Sequence, residues 1–260
     1  MNPKAISRTD QILRELQRAG SVSIDSLCSL LSVSIATVRR DLQDLEEQGL
    51  LRRTHGGAVS IEPLFYEAFR HDSSFQEQIG RHAEEKRRIA MAAADLVEDG
   101  DTIALTAGTT TTEVVRCIRN RQGVIVVTST VNVAMEHSKR KDIEVFVTGG
   151  FLRGDWFSLV GEAANSAMRQ IFVEKAFLGV NGIDAQRGLT SGNSGEAAMN
   201  RVIVSQARKK IAVADHSKLG AIATYRFAGA EEMDLLITDS GASDELIAPF
   251  LDRGIEVRRV

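Results

Sequence analysis

Up to about residue 100 of this chain, apolar residues recur at helical spacing; beyond it they gather into short runs separated by helical segments. Ile12, Leu13 and Leu16 share a face between Arg8 and Gln17, and Gly20 follows as a stop. Ser23 is placed to cap a second helix that holds Ile24, Leu27, Leu30 and Leu31. After the short Ser32–Val33 link, Ile35, Val38, Leu42 and Leu45 fall on one face of a third helix, with Ser34 as N-cap and Gly49 as the C′ residue. Leu50 to Ala58 reads as a two-stranded basic wing that turns at Gly56–Gly57, and Glu84 to Val97 as another helix.

After Gly100, strands are predicted at 102–106, 124–128, 144–148, 175–179, 210–214, 234–238 and 254–258, with helices at 110–118 and 131–137 and one running from Glu196 to Ala207. Short apolar strands separated by helices predict an α/β domain whose mainly parallel sheet is covered on both faces. The expected organisation is α/β overall: a small winged helix-turn-helix domain at residues 1–60, a linker at 61–80, and a larger ligand-sensing and oligomerisation domain at 81–260. The linker contains Pro63 and the aromatics Phe65, Tyr66, Phe69 and Phe75, more than a freely flexible tether would carry.

Charge changes this picture only locally. The 260 residues carry a formal net charge of -3, so no global positive field points to nucleic acid. Residues 1–60 hold eight Lys and Arg against seven Asp and Glu. Any affinity for DNA must come from placement and from two copies of the site. In the third helix Arg39 flanks the apolar stripe, and Thr37 and Arg40 lie on its far side, as a helix entering a major groove requires. Ser34 at its start and Arg52, Arg53 and His55 on the wing complete the DNA-binding candidates, the wing being suited to phosphate contacts that set register. The alternative is a small helical domain with solvated arginines.

The polar N-terminus lacks a signal-peptide core and no apolar run is long enough to cross a bilayer, so the expected compartment is the cytoplasm, with no membrane partner. Cys28 and Cys117 lie in different predicted domains and are expected as free buried thiols, making neither a disulfide framework nor a zinc site. No metal, cofactor or catalytic residue is assigned.

In open α/β sheets, ligands bind beyond the carboxyl ends of the strands. The first strand ends at Thr106 and runs through Gly108 into Thr109, Thr110 and Thr111, whose N–H groups and hydroxyls suit a phosphate or carboxylate. It is not a P-loop, because the Gly-Lys-Ser/Thr ending is missing. Other strand ends contribute Thr128, Ser129, Gly150, Arg153, Asp184, Glu196, Arg201, Asp215 and Lys218. Together they suggest a small anionic ligand, although each cation taken singly fits a solvated surface equally well.

These residues resemble the DeoR family of bacterial transcription regulators over nearly the whole chain. Ser34-x-x-Thr37-Val-Arg-Arg-Asp-Leu-x-x-Leu45-Glu and Arg53-x-His-Gly-Gly-Ala58 carry the likeness at the N-terminus. Gly108-Thr-Thr-Thr111, Gly149-Gly-x-x-Arg153, Phe177-Leu-Gly, Gly188-Leu-Thr190, Glu196-Ala and Ala214-Asp-x-Ser-Lys218 carry it at the C-terminus. The resemblance implies a cytoplasmic repressor of a sugar or polyol catabolic operon that binds double-stranded operator DNA. It also implies a phosphorylated sugar or polyol as effector, and a sensor domain similar in fold to ribose-5-phosphate isomerase and CoA transferases. Paired half-sites imply a homo-oligomer, dimer or tetramer. Thr106, Ser129 and Asn200 depart from the family's pattern and alter the polar partners of the cradle. Two other readings stay open: an isomerase-like or CoA-transferase-like enzyme with an appended DNA-binding module, and a sensor domain that serves only to oligomerise.

Overall fold

The computed structural model describes residues 3–47, 50–59, 73–138 and 140–260. The chain divides into two compact units: residues 1–67 with 138–142, and residues 68–137 with 143–260.

In the first unit, α1 (Pro3–Ala19), β1 (Ser21–Ser23), α2 (Ile24–Leu31) and α3 (Ile35–Glu47) are followed by β2 (Arg52–Thr54) and β3 (Gly57–Val59). The N–H of Gly20 closes α1 on the Leu16 carbonyl at 2.8 Å, with Gly20 at φ +73°, where a side chain would be strained. The Ser23 hydroxyl caps α2 by accepting from the Ser26 N–H, and Ser34 Oγ caps α3 by accepting from the Thr37 N–H. Ile12, Leu13, Leu16, Leu27, Val38, Leu42, Leu45 and Leu51 form the core. Ile35 departs from its predicted place: it is 49% exposed, because it opens α3 one turn outside the packed stripe. An ion pair invisible to periodicity joins two helices, the Arg8 guanidinium of α1 gripping the buried Asp41 carboxylate of α3 at 3.0 and 3.2 Å.

The wing also departs from expectation. It is a three-stranded antiparallel sheet in the order β1-β3-β2, and its turn is His55–Gly56, with Gly57 already paired to Ser23 and Thr54. Strand β1 has three residues, too few to show a period. A Cβ on Gly57 would lie 1.9 Å from the Val22 carbonyl oxygen, so only glycine lets β1 approach.

The second unit begins with α4 (Ser73–Gly80) and α5 (Ala83–Ala94). Part of the expected linker is therefore helical, while Pro63, Phe65, Tyr66 and Phe69 lie outside the described residues, as does Gly49. There follow β4 (Thr102–Leu105), α6 (Thr109–Cys117), β5 (Val124–Thr128), α7 (Val131–His137), β6 (Ile143–Val147) and the hairpin β7 (Phe151–Arg153) and β8 (Ser158–Val160). Next come α8 (Glu162–Met168), β9 (Val173–Leu178), β10 (Gly182–Asp184), β11 (Gly188–Ser191), α9 (Ser194–Gln206) and β12 (Ala207–Val213). The chain closes with β13 (Tyr225–Ala228), β14 (Leu235–Thr238), α10 (Asp244–Leu251) and β15 (Glu256–Arg259).

All seven predicted strands enter one parallel sheet in the order β15-β14-β12-β9-β4-β5-β6. Successive residues point to opposite faces, so Ala104, Ala176, Leu178 and Ala212 pack on one side with α8, α9 and α10. Ile103, Leu105, Phe177, Ile211 and Val213 pack on the other with α5 and α6. The alanines on the first face let α9 lie close to the sheet. A second, antiparallel sheet, β10-β11-β13, sits beyond the strand ends.

Gly57→Ala is expected to part β1 from β3 and destabilise the N-terminal unit by about 1–3 kcal/mol, the usual range for overpacking. Gly56→Ala, which meets nothing within 4 Å, is the control. Differential scanning calorimetry should show an earlier transition for the first variant and none for the second.

Candidate functional site

On the DNA-binding side, α3 exposes Arg39 beside its buried stripe of Val38, Leu42 and Leu45, and Arg40 on the side opposite that stripe. Ser34 is exposed and Thr37 half-buried, and their hydroxyls lie 3.0 Å apart at the helix start. Arg52 and His55 are exposed on the wing. Arg39, Arg40 and Arg52 make no ion pair among the described residues. Arg53 is different. Its backbone N–H and guanidinium both donate to Glu46, at 2.9 and 2.7 Å, and those bonds hold the Glu46 carboxyl below the usual carboxylate range. Arg53 thus fastens the wing to α3.

In the second unit, β4 continues to β5 and β6 on one side and has β9 on the other. The order reverses between β4 and β9, and at such a switch point the connections leave the strand ends in opposite directions and open a crevice beyond them. Thr106 joins the two strand ends: its buried hydroxyl accepts from the Gly179 N–H at 2.8 Å, splicing the end of β4 to the end of β9. Above it lies a cavity of about 100 Å³. Its walls come from Gly108–Thr110 at the start of α6, from Gly179–Asn181 after β9, from Ala214, Asp215 and Lys218 after β12, and from Glu196 and Asn200 on α9. Gln78, Lys86 and Trp156 complete it.

Of the predicted ligand residues, the structure brings Gly108, Thr109, Thr110, Glu196, Asp215 and Lys218 to the cavity. Gly108, at φ +154°, starts α6 and its carbonyl takes the Thr112 N–H together with the Thr111 and Thr112 hydroxyls. The Thr111 hydroxyl is therefore spent inside the protein, and it also donates to the Thr106 carbonyl at 2.8 Å. What the start of α6 offers outward is its first-turn N–H groups and the side chains of Thr109 and Thr110.

The other predicted residues do not line the cavity. Thr128 is buried, its hydroxyl 2.8 Å from that of Thr130, and the Ser129 carbonyl accepts from the Leu159 N–H at 2.6 Å. Gly150 makes room for Val160 and Ala164, which a Cβ would meet at 2.7 and 2.8 Å. Arg153 ends β7. Asp184 accepts from the Gln186 and Arg187 N–H groups and so shapes the β10–β11 turn. Arg201 reaches from α9 to the Arg226 carbonyl at 2.8 Å.

One wall residue carried no sequence signal. Lys86 of α5 is only 4% exposed, and its ammonium donates to the Gln78 carbonyl. Burial pulls it below the ordinary lysine value; Asp215 opposes that fall, while Lys218 and Arg81 add to it. The polar groups are thus sorted. Cations and helix N–H groups suit an anion, while Glu196, Asn181 and Asn200 can receive or supply hydrogen bonds to hydroxyls. Glu196 itself is held by Ser158 Oγ at 2.8 Å.

Behind Asp215, the turn that carries Lys218 is anchored by Asp239. This carboxylate, 1% exposed, accepts from the His216 N–H at 2.7 Å, the His216 ring at 2.8 Å and the Gly241 N–H at 2.8 Å. Burial alone would raise its pKa, but these bonds outweigh burial and hold it below the ordinary value. The His82 ring meets the His216 ring edge-on, with centroids 4.7 Å apart. Cys28 and Cys117 are free and half-buried, and burial pushes the Cys117 thiol up to about 11. Among the described residues no His, Cys, Asp or Glu cluster is placed to hold a metal ion, and no helix is long and apolar enough to cross a membrane.

A winged helix-turn-helix followed by an α/β unit with a polar cavity at its switch point defines a transcription regulator with a separate sensor. Residues 8–63 match the DeoR-like helix-turn-helix domain, residues 81–240 match the DeoR C terminal sensor domain, and the chain belongs to the DeoR family. It is 38% identical to the HTH-type transcriptional regulator GlpR of Haloferax volcanii over 89% of each chain. It is 35% identical to the HTH-type transcriptional repressor GlcR of Bacillus subtilis over 95% of this chain and 93% of that protein. The glycerol-3-phosphate regulon repressor of Escherichia coli is 29% identical over 98% of both. A ribose-5-phosphate isomerase in complex with phospho-erythronic acid superposes on 52% of the chain and 53% of its own, with a TM-score of 0.40 and 18% identity, too slight a likeness to carry an argument about chemistry.

Because the folded Asp239 pKa is lowered, its contribution to stability is present above the unfolded carboxylate range, near pH 4, and is lost as pH falls through the lower folded value. Asp239→Asn should therefore lower the unfolding temperature of the C-terminal unit at neutral pH. The gap to wild type should shrink once the pH falls below about 4, as followed by thermal melts across a pH series.

Proposed function

We propose that the protein is a cytoplasmic, non-enzymatic repressor of a carbohydrate or polyol catabolic operon, and that a phosphorylated sugar or polyol in the C-terminal cavity modulates its operator binding. The observation that carries the reading is the sorting of polar groups in one small cavity: N–H groups at the start of α6 with Lys86 and Lys218 for a phosphate, and Glu196, Asn181 and Asn200 for hydroxyls. One relative, the glycerol-3-phosphate regulon repressor of Escherichia coli, is named for a phosphorylated polyol, which fits that chemistry. The cavity ligand set is Gly108, Thr109, Thr110, Glu196, Asp215 and Lys218 with Lys86 added; Thr106 and Thr111 brace the segments that carry it, and Thr128, Ser129, Gly150, Arg153, Asp184 and Arg201 lie outside it.

On the DNA side, Arg39 and Arg40 read bases in the major groove, Ser34 and Thr37 sit at the helix end that enters it, and Arg52 and His55 contact phosphate. Arg53 acts chiefly by holding the wing in register. Two copies, in a dimer or tetramer, place their recognition helices about 34 Å apart on one face of the duplex. The ligand must bind one arrangement of the heads better than the other, since equal affinity for both shifts nothing.

Arg39→Ala and Arg40→Ala are each expected to cost about 1–3 kcal/mol on the chain's own upstream DNA and little on random duplex. Arg52→Ala should weaken both alike and lower the salt dependence. Fluorescence anisotropy on the two duplexes decides; unchanged affinity in both α3 variants would overturn the base-reading assignment. In a thermal-shift screen, one phosphorylated compound should raise the unfolding temperature where its unphosphorylated parent does not, and Thr110→Ala should abolish the rise. A rise with the free sugar alone would place the anion elsewhere.

A further inference from the structure

The Lys86 ammonium has a second partner besides the cavity. It donates to the Gln78 carbonyl in the last turn of α4, where helix carbonyls run out of intrahelical donors and a cation relieves the negative end of the helix dipole. An ammonium has three donors, so one can stay on Gln78 while the others turn to a ligand. Gln78 and Lys86 both line the cavity, and both are held by elements that precede the sheet: α4 is the first element of this unit among the described residues, and α5 packs on the sheet through Ile89, Ala90 and Ala93.

We infer that Lys86 couples occupancy of the cavity to α4: the same buried ammonium caps the C-terminal turn of this helix and meets the ligand's anionic group. The inference rests on the anionic-ligand reading above. Its physical basis is the cost of a buried cation. Within the protein, Asp215 is the carboxylate that favours the charge on Lys86 most, against burial and against Lys218 and Arg81. A phosphate adds a second counter-charge, strengthens the charged form and so strengthens the cap on α4. Among the described residues of this unit α4 stands nearest in sequence to the DNA-binding unit, so a helix held more firmly when the anion is bound is the element through which occupancy would reach the heads. Gly108 and Thr110 bind the anion in this scheme; Lys86 reports it.

Hydrogen–deuterium exchange on the full-length protein tests this, with saturating inorganic phosphate compared with chloride at equal ionic strength. Exchange at residues 106–112 and at residues 73–82 should both slow, the latter by roughly three- to tenfold, the range for one strengthened hydrogen bond. In Lys86→Gln, which keeps a neutral donor, slowing at 106–112 should persist in part and slowing at 73–82 should vanish. Lys86→Arg, which keeps the charge, should retain it, and covers the case in which the Gln variant fails to fold. Slowing at 106–112 without any change at 73–82 in the wild type would overturn the coupling and leave the ligand reading intact. The same holds if Lys86→Gln responds as wild type does. Slowing at neither segment would overturn the anion reading and the coupling with it.

Discussion

Burying an ammonium costs several kcal/mol unless counter-charges and hydrogen bonds surround it, and the sensor unit is arranged around one that is 4% exposed. Lys86 is tolerable because the Gln78 carbonyl accepts from it and Asp215, itself 1% exposed, lies near enough to favour its charge. Asp215 in turn has its carboxylate engaged by the Ser217 N–H at 3.1 Å, and the whole turn hangs on Asp239 through His216. A cation held this way, beside the open N–H groups of α6, is a standing demand for an anion. A protein with no use for one would reach greater stability with an apolar residue at this position, as replacements of buried ion pairs show.

The sheet explains why that demand is met at one place. In the seven-stranded parallel sheet the connections after β4 and β9 leave in opposite directions, and the Thr106–Gly179 bond holds the two strand ends together. Part of the cavity lining is then delivered by loops rooted in strands whose side chains are fully buried on both faces, such as Ala104, Leu105, Phe177 and Leu178, while Gln78, Lys86, Glu196 and Asn200 come from helices packed around them. On the DNA-binding side the logic is similar. A small core fixes α3, the Arg8–Asp41 pair ties it to α1, and Glu46 and Arg53 tie it to the wing, which leaves Arg39 and Arg40 outward.

The parallel strands were legible because each is an apolar run that must be covered twice, a pattern that little else produces. The three-residue strands were not: Phe151–Arg153, Ser158–Val160 and Gly182–Asp184 mix apolar with polar or charged residues and form only because the strand ends beside them are already in place. Gly108, Thr109, Thr110, Glu196, Asp215 and Lys218 were found by reading strand ends alone, since topology sends those ends to one edge. Lys86 was missed because Glu84-Glu85-Lys86-Arg87-Arg88 looks like a solvated helix face, and only tertiary packing turns one of its five charges inward. Arg53 was grouped with the phosphate-contacting arginines because Glu46, seven residues away across a helix end, gives no local sign of claiming it. Thr111 was read as a donor for the same reason: its acceptors, the Thr106 and Gly108 carbonyls, belong to the fold of the loop.

If the two units are thermodynamically linked as proposed, an anion in the cavity and an operator on the heads each change the affinity for the other by the same factor. The most direct measurement is a pair of titrations on one preparation of the full-length protein. Affinity for its own upstream DNA is measured with and without glycerol 3-phosphate and other phosphorylated sugars, and affinity for the active compound with and without that DNA. The account predicts one phosphorylated compound that changes DNA affinity by about 5- to 150-fold, a typical coupling range, with a reciprocal change of equal size and no effect of its unphosphorylated parent. Contradiction would be DNA affinity indifferent to a phosphorylated compound shown to occupy the cavity, or a response of the same size to the unphosphorylated parent.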